Sequence, residues 1–146
     1  MKEIKFTKEN VRLNVQAADW KEAIHQGVAL LEHNGLVTEM YASHIIRNIH
    51  EYGPYIVISP GIAIPHARPE DGAIDIGVSL ITLEHPVHFH NIETPVRVLI
   101  SFSAQDNDQH LNIIKMIVKI IEEGLIQEIA GISSIQKLND LIRGDE

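Results

Sequence analysis

The chain has no cysteine in its 146 residues. That excludes a disulfide framework, a cysteine nucleophile and a thiolate metal site. It also lacks any cluster of Lys and Arg, and its formal net charge is −8. Phosphate backbones are bound by clustered basic side chains, so a nucleic-acid partner is not expected. No apolar run is long enough to cross a bilayer. The most apolar stretch, "LNIIKMIVKIIEEG", is short and carries Lys115 and Lys119. The start, "MKEIKFTKEN", lacks the apolar region of a signal peptide. There is no Gly-x-x-x-x-Gly-Lys-Ser/Thr phosphate loop, no internal repeat and no low-complexity segment. A cytosolic globular protein is expected, folded as one domain over residues 1–146. Its 45% hydrophobic content is enough for a substantial core, and its 22% charged residues suit an ordinary soluble surface.

What is present reads as an α/β chain. "VRLNV" (11–15) alternates as a short strand. Asp19 and Glu22 form a capping box before "WKEAIHQGVALLEHNG". Gly27 sits inside that helix's apolar stripe, where a glycine is unexpected. Thr38 caps a second helix, "EMYASHIIRNIHEY", with Tyr41, Ile45, Ile49 and Tyr52 on one face, and Gly53-Pro54 stops it. "YIVI" (55–58) and "IAI" (62–64) are short strands joined by Ser59-Pro60-Gly61-Ile62, which suits a type II turn. Strands are expected over 74–83, over 87–92 ("VHFHNI") and over 96–104. A helix follows, capped by Asp106, Asn107 or Asp108, with Leu111, Ile114, Ile117, Val118 and Ile121 inward. A helical turn at "LIQEIAG" and a last helix capped by Ser133 with Gln136 complete the chain. The pattern predicts a mixed β-sheet with helices packed on both faces.

Nine histidines are many for this length. His25, His33, His44 and His50 fall on predicted helices and read as surface residues. His85, His88 and His90 ("HPVHFH") have possible metal spacing, which opens a zinc-binding module or hydrolase as an alternative. Without cysteine or a fixed carboxylate partner, a solvated strand face is the preferred reading, and no metal is expected. His66 stands apart. Pro65 restricts Ile64 to an extended conformation and has no N–H for the ladder. The histidine is therefore carried at the end of a rigid strand and left open to a partner. His110 lies in the first turn of the apolar helix, where unpaired N–H groups and the helix dipole favour an anion. If the sheet brings the two together, a phosphoryl group suits the space. Arg68 can add a charge-assisted bond or can pair with Glu70 or Asp71.

"PGIAIPHARPEDG" resembles the active-site segment of the mannitol/fructose-type enzyme IIA domains of the bacterial phosphotransferase system (PTS). "DNDQHLNIIKMI" is similar to that family's second histidine at a helix start. The two helices before the first motif and the closing "SIQKLNDLI" helix also match, so the resemblance spans nearly the whole chain. "GPYIVISPGIAIPHARPE" looks closest to the ascorbate-specific branch. The resemblance implies a phosphocarrier that accepts a phosphoryl group from phospho-HPr on His66 Nε2 and passes it to a cysteine of enzyme IIB. His110 would stabilise the transferring oxygens. No cofactor, magnesium site or nucleotide is implied. With no cysteine here, the IIB must be a separate chain, and the membrane is met only through a IIC transporter. A regulatory IIA-like protein that senses phosphorylation state is an alternative within the family. Many members carry an arginine near the end of the second helix. Here Arg47 and Asn48 both fit that place.

Overall fold

The computed structural model describes residues 5–89 and 92–143. Five strands form one sheet: β1 (Val11–Val15), β2 (Val57–Ser59), β3 (Ile62–Ala63), β4 (Gly77–Val87) and β5 (Val96–Ser103), in the spatial order β1-β4-β5-β3-β2. β1 runs parallel to β4, and β3 parallel to β5. The β4–β5 and β2–β3 pairs are antiparallel. The sheet is mixed, as the sequence predicts. β4 and β5 are its centre, and nearly all of their side chains are buried on both faces.

Five helices surround the sheet: α1 (Trp20–His33), α2 (Tyr41–Tyr52), α3 (Asn107–Glu122), α4 (Ile126–Ala130) and α5 (Ile135–Arg143). α1 lies on the face of β4 and β5 that carries Ser79, Ile81 and Ser101. Ser79 Oγ donates to the Gly27 carbonyl at 2.8 Å. A Cβ at Gly27 would stand 2.8 Å from Ser101 Oγ, which explains a glycine within an apolar stripe. On the other face the Phe102 ring meets His110 at the start of α3, and α4 packs on the same two strands. Helices thus cover both faces.

Local signals account for most boundaries. Asp19 accepts from Glu22 N at 2.9 Å, and Glu22 reaches back to Ala18 N. Gly61 has φ +89° at the third position of the β2–β3 turn, the conformation a type II turn demands there. Four expectations need correction. Thr38 lies before α2 rather than at its cap, because its own amide is bonded to the Gly72 carbonyl and its hydroxyl accepts from Met40 N. Ser134, not Ser133, caps α5, through Lys137 N at 3.1 Å. The strand expected over 87–92 does not form among the described residues. β4 instead runs on through Glu84-His85-Pro86 to Val87, and the chain leaves the sheet there, with Phe89 packing on Trp20. In α3 the buried residues are Ile113, Ile117 and Ile120, while Leu111 and Val118 are exposed. An isoleucine-rich helix carries more than one apolar stripe, and the position of its first turn selects the buried one.

Candidate active site

β3 ends at Ala63, but its path alongside β5 continues for two more residues. Ile64 N donates to the Ile56 carbonyl at 2.8 Å, and the Pro65 carbonyl accepts from Phe102 N at 3.0 Å. His66 is therefore delivered at the rim of the sheet on a paired backbone. Its ring stacks on Phe102, with centroids 4.5 Å apart and planes 17° from parallel. Tyr55 meets the ring edge-on at 5.6 Å. β5 leads through Ala104 and Gln105 to the Asp106 cap of α3, and the first turn of that helix brings His110 to 5.3 Å from His66, ring to ring. The two histidines, 44 positions apart in the chain, thus share one site.

His66 Nδ1 lies 2.7 Å from the Ile64 carbonyl oxygen. A carbonyl only accepts, so Nδ1 carries the proton and Nε2 holds the free lone pair. Burial pushes the His66 pKa below its ordinary value. The Ile64 carbonyl opposes that shift, and His110 adds to it. The imidazole is accordingly neutral at pH 7, with one nitrogen committed to the backbone and the other available.

A cavity of about 500 Å³ opens beside the pair, lined by Asn48, Tyr52, Tyr55, His66, Arg68, His110 and adjoining residues of the two loops. Arg68 is one of these lining residues. Its guanidinium is exposed and already faces Glu70 at 3.9 Å and Asp71 at 3.8 Å. Of the two candidates on α2, Asn48 lines the cavity and its side chain hydrogen-bonds the Tyr55 hydroxyl. Arg47 points to solvent. Of the open N–H groups expected at the start of α3, the Gln109 amide is taken by the Asp106 side chain at 2.8 Å, and the His110 amide makes the first intrahelical bond, to the Asp106 carbonyl at 3.1 Å. Ile62 and Ile64, just before His66, are buried core, whereas Ala67, just after it, lines the cavity. The apolar surface at the cavity comes mainly from Tyr52 and Tyr55. Helical spacing puts Tyr52 on the face of Tyr41, Ile45 and Ile49, but at the last residue of α2 it is exposed and lines the cavity instead, and Tyr55, just before β2, carries no periodic signal for the site.

Two of the three histidines of the metal alternative fall within the described residues. His85 is exposed beside Glu84, His88 is exposed beyond the end of β4, and His90 lies outside the described residues. His85 lies within β4 and His88 beyond its end, so those two share no strand face. Among the described residues no three His, Asp or Glu side chains converge as a metal site would require. No helix among them is long and apolar enough to cross a membrane.

The chain is similar to known proteins over nearly its whole length. Residues 5–144 match the family model for the phosphoenolpyruvate-dependent sugar phosphotransferase system, EIIA 2. The chain belongs to that family and is a phosphotransferase component of the system. An ascorbate-specific PTS EIIA component from Salmonella choleraesuis is 38% identical over 136 residues, covering 91% of this chain and 88% of that protein. The solution structure of a mannitol-specific cryptic enzyme IIA from Escherichia coli is similar with a TM-score of 0.85 at 36% identity, covering 95% of this chain and 96% of that one. The same fold recurs in a mannitol enzyme IIA from Escherichia coli solved in complex with phosphorylated enzyme IIB, with a TM-score of 0.85 at 23% identity.

Proposed function

We propose that this chain is a phosphocarrier in which His66 Nε2 accepts a phosphoryl group from phospho-HPr and yields it to a cysteine of a separate enzyme IIB. The observation that carries the reading is the 2.7 Å contact of His66 Nδ1 with the Ile64 carbonyl, which leaves Nε2 as the free nitrogen of a ring that lines the cavity with His110. In the first step the Nε2 lone pair forms a new P–N bond while the P–N bond to the donor imidazole breaks, and that electron pair returns to the donor. The proton on Nδ1 stays in place. As phosphorylation draws electron density from the ring, the hydrogen bond to Ile64 O strengthens and stabilises the product. Such transfers depend mainly on in-line positioning and on charge stabilisation at the equatorial oxygens. His110 supplies that stabilisation, and Arg68 adds a secondary contact from the rim. In the second step a thiolate of enzyme IIB attacks phosphorus and His66 leaves as the neutral imidazole.

Tyr52 and Tyr55 form the apolar margin against which successive partners dock. The reaction is placed in the cytoplasm, with the membrane reached only through a separate IIC transporter. L-Ascorbate is the first substrate to test, given the ascorbate-specific relative. Incubation with phosphoenolpyruvate, enzyme I and HPr should add one acid-labile, alkali-stable phosphoryl group. A His66→Ala variant should take up none, and undiminished labelling of that variant would remove His66 from its role.

A further inference from the structure

Two tyrosines grip the backbone at His66 from different elements. The Tyr55 hydroxyl, just before β2, donates to the His66 carbonyl at 2.6 Å. The Tyr41 hydroxyl, at the start of α2, accepts from Ala67 N at 3.0 Å and donates to the Phe102 carbonyl at 2.9 Å. The His66 carbonyl and the Ala67 amide belong to one planar peptide group. That plane is thus held at its oxygen by one phenol and at its nitrogen by the other. Its tilt sets ψ of His66. On the other side Pro65 has a fixed φ, and its carbonyl is tied to β5. The clamped plane also fixes the position of the His66 carbonyl carbon, and with the tied peptide on the Pro65 side it sets the direction of the His66 Cα–Cβ bond, on which the Nδ1–Ile64 O contact depends.

We infer that Tyr41 and Tyr55 are positioning residues, whose hydroxyls clamp the His66–Ala67 peptide plane and thereby decide which ring nitrogen faces the cavity. The inference rests on the reading of His66 as the acceptor. Tyr41 is fully buried and does not line the cavity. It cannot touch a transferring phosphoryl group, so any effect it has on chemistry must pass through the peptide plane. Burial raises its pKa to about 12, so the phenol stays protonated and can donate to Phe102 while it accepts from Ala67. Asn48 extends the clamp outward through its hydrogen bond with the Tyr55 hydroxyl.

The test removes each hydroxyl while keeping the ring, as Tyr41→Phe, Tyr55→Phe and the pair. Two-bond 15N–1H correlation spectra at neutral pH report the His66 tautomer directly. Wild type should show the proton on Nδ1. Each variant should show a share of the opposite tautomer, and the pair little more than either, because both hydroxyls hold one plane. Single-turnover transfer from phospho-HPr should slow roughly tenfold to a hundredfold, the scale of a misplacement of about 1 Å. For Tyr41→Phe, KM for phospho-HPr should be unchanged. Circular dichroism and thermal melting identify any variant that fails to fold, and Tyr55→Phe, at the surface, carries the test if Tyr41→Phe does not. A wild-type tautomer in folded variants overturns the clamp, whether or not the rate falls. If instead His66→Ala still accepts phosphate, the functional reading fails while the tautomer measurement still decides the clamp.

Discussion

Helix α1 covers the sheet face away from His66, so its packing can be perturbed without touching the site. Gly27→Ala is the informative change. In the helix interior alanine is favoured over glycine by about 1 kcal/mol. Against this, the new Cβ would stand 2.8 Å from Ser101 Oγ, well inside the roughly 3.5–4.0 Å optimum for non-bonded heavy atoms. Overpacking of a tight interior costs about 1–3 kcal/mol. The expected net effect is destabilisation by about 1 kcal/mol. Ser101 adds a second term. Its Oγ is buried with no hydrogen-bond partner among the described residues. An unsatisfied buried polar atom costs about 1–3 kcal/mol, so Ser101→Ala alone should be neutral or stabilising. In the double variant the clash is gone, since a Cβ at residue 27 would stand 3.8 Å from Ser101 Cβ. The double variant should recover the helix-propensity gain and exceed wild type. The coupling between the two changes should be about 2 kcal/mol, favourable. Urea denaturation of all four proteins, with equal m-values as the two-state check, measures it. Additivity of the two single changes within ~0.5 kcal/mol would show that the close approach of α1 to β5 does not govern this position. Phosphoryl transfer by the double variant should match wild type.

Two further outcomes concern the site. His110→Ala should slow single-turnover transfer by roughly 10²–10³ with the fold intact, the scale for loss of one preorganised donor. A wild-type rate would remove His110 from the mechanism. The pH dependence follows from His66, whose pKa is lowered by burial. The unfolded chain protonates this residue near ~6.5, and the folded chain only at lower pH. Between those values the unfolded state binds more protons. The contribution of neutral His66 to stability is therefore present above pH ~6.5 and is lost as pH falls toward the folded pKa. NMR titration of the ring should give a midpoint below ~6.5, with the transfer rate falling over the same range. A midpoint above ~6.5 would contradict the burial argument.

The sequence alone carried the elements whose signals are local. Asp19-x-x-Glu22 fixes the start of α1, Pro60-Gly61 fixes the β2–β3 turn, and the interleaving of strands and helices defines a mixed sheet covered on both sides. His66 was legible too, because Pro65 and the quoted segment around it are contiguous. Other features depend on which segments meet, and no local pattern encodes that. The 5.3 Å approach of His66 to His110 comes from β3 and β5 being neighbours, with α3 starting at the end of β5. The choice of Asn48 over Arg47 depends on the rotation of α2 about its axis, which Tyr41, Ile45 and Ile49 set by entering the core. Likewise the isoleucines of α3 offer several apolar stripes, and the sheet selected Ile113, Ile117 and Ile120. The tautomer of His66 is the most non-local property of all. A histidine has two nearly equivalent nitrogens, and only the folded position of the Ile64 carbonyl distinguishes them.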